Sequence, residues 1–180
     1  MEIIQTSIPE VLLIKPAVFK DARGYFYEVF NKSVFEKLGL ITEFVQDNQS
    51  MSEKGTVRGL HFQAPPFDQG KLVTVIKGAV IDVAVDIRRS SPFYGQTVAI
   101  ELNEDNKYML WIPSGFAHGF STLKDNTIFQ YKCTNFYNKS TEGGIIWNDL
   151  NLDIQWNVDN PIISEKDNQL PSFNNFISPF

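Results

Sequence analysis

Cysteine is almost absent from this chain. Cys133 is the one thiol in 180 residues, so no disulfide can form within the chain, which suits a reducing compartment. Histidine is nearly as scarce: His61 and His118 are too few for a three-histidine metal site. No apolar run approaches the roughly 20 residues that span a bilayer. Residues 1–6 lack the basic segment and long apolar run of a secretory signal. Positive charge is in deficit as well. The net charge of −5 argues against a general nucleic-acid binder, though a few clustered Arg and Lys still suffice to bind a small anion. The sequence shows no internal repeat, low-complexity tract or linker. The expectation is a cytoplasmic protein with no membrane or nucleic-acid partner.

What is present has the composition of a soluble globular protein, with 43% hydrophobic and 21% charged residues, and the length suits one domain. We expect a single domain over 1–180 with an irregular tail from Asn135. Short apolar segments bounded by turn residues recur at 11–14, 25–30, 44–48, 57–63, 71–76, 80–87, 97–102, 107–112, 117–122 and 127–134, with strand-like patches at 145–147 and 154–156. The clearest period-2 signal is at 80–87: Ile81, Val83, Val85 and Ile87 share one face, and Val80, Asp82, Ala84 and Asp86 share the other. One convincing helix stands out, capped by Asn31, with Val34, Phe35 and Leu38 on one face and Gly39 as its stop. Phe19 to Gly24 reads as a charged turn. Many short strands with almost no helix predict a mainly β jelly-roll, a cupin-like antiparallel barrel.

The stretch Val57-Arg58-Gly59-Leu60-His61-Phe62-Gln63 holds the most chemistry. Histidine exchanges protons near neutral pH. On an ideal strand Arg58 and His61 would point to opposite faces, and Gly59 offers a bulge or bend. The usual cupin metal signature is missing, since position 63 is Gln and no Glu follows nearby. Arg58 and Lys71 each sit in an apolar strand of an acidic chain, where they are able to bind a diphosphate or stabilise an oxyanion. Tyr131 is either a core aromatic or, facing a pocket, a proton donor. Asp167 sits in a charged run that reads as surface. Phe19, Phe26 and Glu28 around Arg23-Gly24 are either packing residues or a platform for a planar base beside a phosphate-binding Arg.

Taken together these stretches resemble the dTDP-4-dehydrorhamnose 3,5-epimerases. The matching residues are Phe19-x-Asp21-x-Arg23-Gly24-x-Phe26-x-Glu28, Phe44-Val45-Gln46-Asp47-Asn48-x-Ser50, Arg58-Gly59-Leu60-His61 and Gln69-Gly70-Lys71-Leu72-Val73. They continue through Asp82-Val83-Ala84-Val85-Asp86-Ile87-Arg88, Trp111-Ile112-Pro113-x-Gly115-Phe116-Ala117-His118-Gly119-Phe120, Tyr131-Lys132, Glu142 with Trp147-Asn148-Asp149, and Ser164-Glu165-Lys166-Asp167. The resemblance implies a jelly-roll, a homodimer, no metal, no cofactor and a dTDP-linked 4-keto-6-deoxy sugar as substrate. It assigns His61 as the base paired with Asp167, Lys71 as the enolate-stabilising cation and Tyr131 as the acid. It places Gln46, Asn48, Arg58, His118, Glu142 and Lys166 on the substrate. Arg23, Phe19, Phe26 and Glu28 resemble nucleotide contacts, some of which reach the neighbouring subunit's site in this family. Phe62, Gly143-Gly144 and Asn157 depart from the common pattern, outside the acid–base set. The catalytic groups alone leave open a 3-epimerase or ketoisomerase of another deoxysugar, and, against the intact acid–base set, a non-catalytic binding jelly-roll.

Overall fold

The computed structural model describes residues 1–40 and 43–180. Two antiparallel sheets face each other. The larger contains β1 (Glu2–Gln5), β2 (Leu12–Lys15), β5 (Gln46–Ser52), β7 (Lys71–Lys77), β10 (Met109–Ile112) and β12 (Thr127–Cys133), in the order β1-β2-β10-β7-β12-β5. The smaller contains β6 (Val57–Gln63), β8 (Ala79–Asp86), β9 (Thr97–Asn103), β11 (Phe116–Thr122) and β13 (Glu142–Gly144), in the order β13-β6-β11-β8-β9. A separate hairpin joins β3 (Phe19–Asp21) to β4 (Gly24–Phe26). The jelly-roll expectation holds, because alternate side chains of both sheets pack inward on each other. Val73, Val75, Leu110 and Phe129 from one sheet meet Val80, Ala84, Val98 and Phe120 from the other.

The helix falls where the capping pattern places it. In α1 (Lys32–Lys37) the Asn31 side chain accepts from the Val34 N–H at 3.3 Å, and Gly39 stops it with φ +73°. Its buried Phe35 packs with Trp111 and Met109 on the outer face of the larger sheet. A second helix, α2 (Glu165–Asn168), was not legible, since four residues are too few to show a 3.6-residue period. Of the turn expected at 19–24, only residues 22 and 23 turn, at the tip of a hairpin whose strands take the rest. Of the strand expected at 25–30, only residues up to 26 are extended in a sheet. Residues 154–156 form no strand, although Trp156 is buried. β1, too short and mixed to signal, was missed.

The irregular tail covers the outer face of the smaller sheet. Leu152, Trp156, Phe173, Phe176 and Phe180 pack against Val57, Leu60, Val83, Val85 and Ile87. This explains a departure at β8. All eight of its residues are buried, so both faces of the strand are covered, one by the tail and one by the opposite sheet. No helix among the described residues is long and apolar enough to cross a membrane.

Candidate active site

Strand β6 lies at the centre of the site because of one irregularity. On its neighbour β11, His118 pairs with His61 and Phe120 pairs with Arg58. Three steps on β6 therefore match two on β11, so one residue is bulged out. The extra residue returns Arg58 to the face that His61 occupies. Gly59 permits this with φ +131°, a backbone region that side chains avoid. Both Arg58 and His61 line a cavity of about 1050 Å³ between the sheets, at the upper end of the size range of small-molecule sites.

His61 reaches its partner through the tail. The chain at Ile162 runs beside the start of β6, with the Val57 N–H donating to the Ile162 carbonyl at 3.0 Å. Ser164 then caps α2 by accepting from the Asp167 N–H at 3.1 Å. This sets the buried Asp167 carboxylate against β6: Oδ1 lies 2.7 Å from His61 Nε2, and Oδ2 accepts from the Gly59 N–H at 3.3 Å. Burial would raise the pKa of Asp167. The His61 bond and charge, with the Gly59 and Ser164 contacts, outweigh it and hold the carboxyl below its usual range. A carboxylate only accepts, so His61 carries its proton on Nε2 and keeps a lone pair on Nδ1.

The opposite wall comes from the larger sheet. Tyr131 on β12 and Lys71 on β7 both line the cavity, with Lys71 Nζ 6.0 Å from the centre of the Tyr131 ring. Burial pushes the Tyr131 phenol upward, so it remains a proton donor at neutral pH. Burial lowers Lys71, and among the described residues its ammonium has no hydrogen bond or ion pair. A cation kept free in this way is available to an oxyanion.

His118 makes a second histidine–aspartate pair, its Nε2 lying 2.8 Å from Asp82 Oδ1. Burial pushes its pKa down against the pull of Asp82, and Lys71 and His61 add to the lowering. The two pairs thus differ: His61 is partly open to the cavity, and His118 is deeply enclosed.

Gln46, Asn48, Glu142 and Lys166 complete the walls. The Gln46 side chain donates to Asn48 at 3.1 Å and accepts from the Tyr137 N–H at 3.0 Å. Glu142 receives Lys166 at 2.6 Å and the Tyr137 hydroxyl at 3.1 Å, across the mouth. Burial would raise the Glu142 carboxyl, but Lys166 and Tyr137 hold it low. Tyr137 is half-exposed at this mouth and was missed in the sequence, where it sits among irregular polar residues.

Four expected residues do not reach this cavity within the chain. Phe19, Arg23 and Phe26 line a separate hollow of about 520 Å³ on the β3–β4 hairpin. Phe19 and Phe26 are 65% and 68% exposed, so they form no core, and Arg23 pairs with Asp21. Glu28 accepts from Asn31 Nδ2 at 2.8 Å beside α1. Among the described residues, no three His, Cys, Asp or Glu side chains converge as metal ligands would.

Comparison with known proteins agrees with this geometry. Residues 5–175 match the family model described as dTDP-4-dehydrorhamnose 3,5-epimerase. The Shigella flexneri enzyme of that name is 54% identical over 168 residues, covering 93% of each chain. A crystal structure of the 3,5-epimerase of Legionella pneumophila, in complex with dTDP-4-keto-L-rhamnose, superimposes with a TM-score of 0.94 at 45% identity, over 98% of this chain and 94% of that one. A 3'-monoepimerase from Streptomyces bikiniensis, in complex with dTDP-quinovose, is more distant: TM-score 0.87 at 27% identity, over 93% and 86% of the two chains.

Proposed function

The chain belongs to the dTDP-4-dehydrorhamnose 3,5-epimerase family, and from that premise we propose how its cavity performs the reaction. The activity is inversion of C3 and C5 in dTDP-4-dehydro-6-deoxy-D-glucose, which gives dTDP-4-dehydro-L-rhamnose. The 4-keto group acidifies the C–H bonds on both flanking carbons. His61 Nδ1 removes a proton, and the C–H electron pair moves into an enolate with its charge on O4. Asp167 stabilises the imidazolium that forms. The Lys71 ammonium offsets the charge on O4. Tyr131 delivers a proton from the other side, inverting the carbon. Arg58, Gln46 and Asn48 hold the sugar and diphosphate, and Glu142 and Lys166 fix the substrate at the mouth.

One observation supports this reading above the rest. His61 stands on one sheet with Asp167 held against it from α2, and Tyr131 with Lys71 stands on the other, facing a common cavity. Inversion needs a base and an acid on opposite faces of a planar intermediate, which two facing sheets provide. In D₂O the enzyme is expected to place deuterium at both C3 and C5, located by NMR. Label at C3 alone would identify a 3-epimerase, and no label would remove catalysis on this substrate. Tyr131→Phe is expected to retain proton abstraction while losing inversion by about 10²-fold or more. Unchanged epimerisation would remove Tyr131 from the acid role.

The hairpin residues Phe19, Arg23, Phe26 and Glu28 fit a homodimer in which the hairpin of one copy meets the nucleotide in the other. Exposed aromatics beside an arginine, away from their own cavity, support this arrangement. A complementation experiment tests it by mixing His61→Asn chains with Arg23→Ala/Phe26→Ala chains, each inactive alone. With the hairpin acting on the partner, about a quarter of wild-type activity returns, since half the dimers are mixed and each holds one intact site. A hairpin serving its own cavity would restore nothing.

A further inference from the structure

Asp82 takes no part in the proton transfers above and is not on the cavity wall. It lies on the inner face of β8 with no solvent exposure. Its Oδ1 is held by His118 Nε2 at 2.8 Å, but its Oδ2 is buried with no hydrogen-bond partner among the described residues. A sealed, half-satisfied carboxylate is a costly thing to place between Val80 and Ala84, where an apolar side chain would pack without penalty. No Lys or Arg among the described residues forms an ion pair with it.

Two features of its surroundings give that placement a use. His118 Nδ1 has no partner in the described chain, yet it is not among the polar atoms sealed from solvent, and His118 lines the cavity. The free side of the ring is therefore the substrate side. The second feature is Lys71, whose neighbouring acids are Asp82 and Glu142, together with the Cys133 thiol, which burial keeps protonated. Glu142 is already engaged by Lys166. Asp82 is thus the neighbouring acid that no Lys or Arg pairs among the described residues.

We propose that Asp82 is a positioning residue: it holds His118 with its proton on Nε2, so that the Nδ1 lone pair faces the cavity as a hydrogen-bond acceptor beside the Lys71 ammonium, which its unpaired oxygen counterbalances. A Lys ammonium only donates, and His118 fixed this way accepts. Together they match a carbonyl with a hydroxyl on the adjacent carbon, the arrangement at C4 and C3 of a 4-keto sugar. The inference rests on the reading that Lys71 faces the keto oxygen.

The scarcity of histidine makes the test direct. Nitrogen-15 labelling of histidine gives only two imidazoles, and His61→Asn identifies the remaining one. In the wild-type enzyme at neutral pH, His118 is expected to be neutral and protonated on Nε2. In Asp82→Asn the amide can donate as well as accept, so the proton shifts partly to Nδ1. That variant is expected to lose about tenfold or more in kcat with KM nearly unchanged. A proton on Nδ1 in the wild type overturns the proposal, and so does an unmoved tautomer or an unchanged kcat in the variant. A merely structural pair would lower the unfolding temperature and leave kcat unchanged, even though the tautomer moves. Should the variant not fold, the wild-type spectrum still decides. A wild-type enzyme that incorporates no deuterium would instead remove the epimerase reading, whichever tautomer His118 shows.

Discussion

Replacing His61 with Asn is expected to reduce deuterium incorporation from D₂O at both C3 and C5 by about 10³-fold or more, near the upper range for loss of a general base. Both positions fall together because only one histidine stands open to the cavity, the His61 side chain being 31% exposed and that of His118 7%. His118 is enclosed and bound through Nε2 to Asp82. Asn is the informative replacement. It adds no bulk or charge, and the buried Asp167 carboxylate still accepts from the Gly59 N–H, so the protein keeps its fold. The measurement is NMR of the recovered sugar nucleotide, with circular dichroism to confirm folding. Exchange surviving at one carbon only would mean that a different base serves that carbon. Exchange surviving at both would remove His61 from the mechanism.

Gly59→Ala is expected to cost at least about 3 kcal/mol of stability, and with it the active site. A Cβ at this position would lie 2.5 Å from Gly119 Cα and 2.9 Å from the His118 carbonyl oxygen. Both are backbone atoms of β11, so relief requires the two strands to part. The φ of +131° adds strain for any side chain. Parting the strands also displaces the Gly59 N–H from Asp167 and removes the bulge that brings Arg58 and His61 to one face. A urea titration would show a lower midpoint at an unchanged slope. A midpoint equal to the wild type would mean that the approach of β6 to β11 is slack.

These effects explain how far the sequence could be read. The β class, the Asn31-capped helix and the interest of His61 all rest on local pattern, which a window of ten residues contains. The partner of His61 does not. Asp167 is 106 positions away, in a charged run that local composition assigns to the surface, and only the run of Ile162 along β6 brings it in. Asp82 was hidden differently. Its strand showed clean alternation, but both of its faces are buried, so alternation could not mark which acid is sealed inside. The relation of Arg58 to His61 was ambiguous because a bulge shifts the period by one, and Gly59 signals that a bulge is permitted without saying that it occurs. The hairpin residues look like ordinary exposed aromatics from either the sequence or a single chain, since what they meet lies on a second copy in the proposed dimer.

The late position of α2 has a consequence for how the protein comes into being. Among the described residues all thirteen strands end by Gly144, so a nascent chain has every strand of both sheets before Asp167 is made. Domains begin to organise during synthesis. The two sheets can therefore close around a cavity in which His61 has no carboxylate and the Gly59 N–H has no acceptor. The completed base is therefore among the last features to be assembled: a chain that stops before Asp167 has every strand of both sheets but no carboxylate for His61.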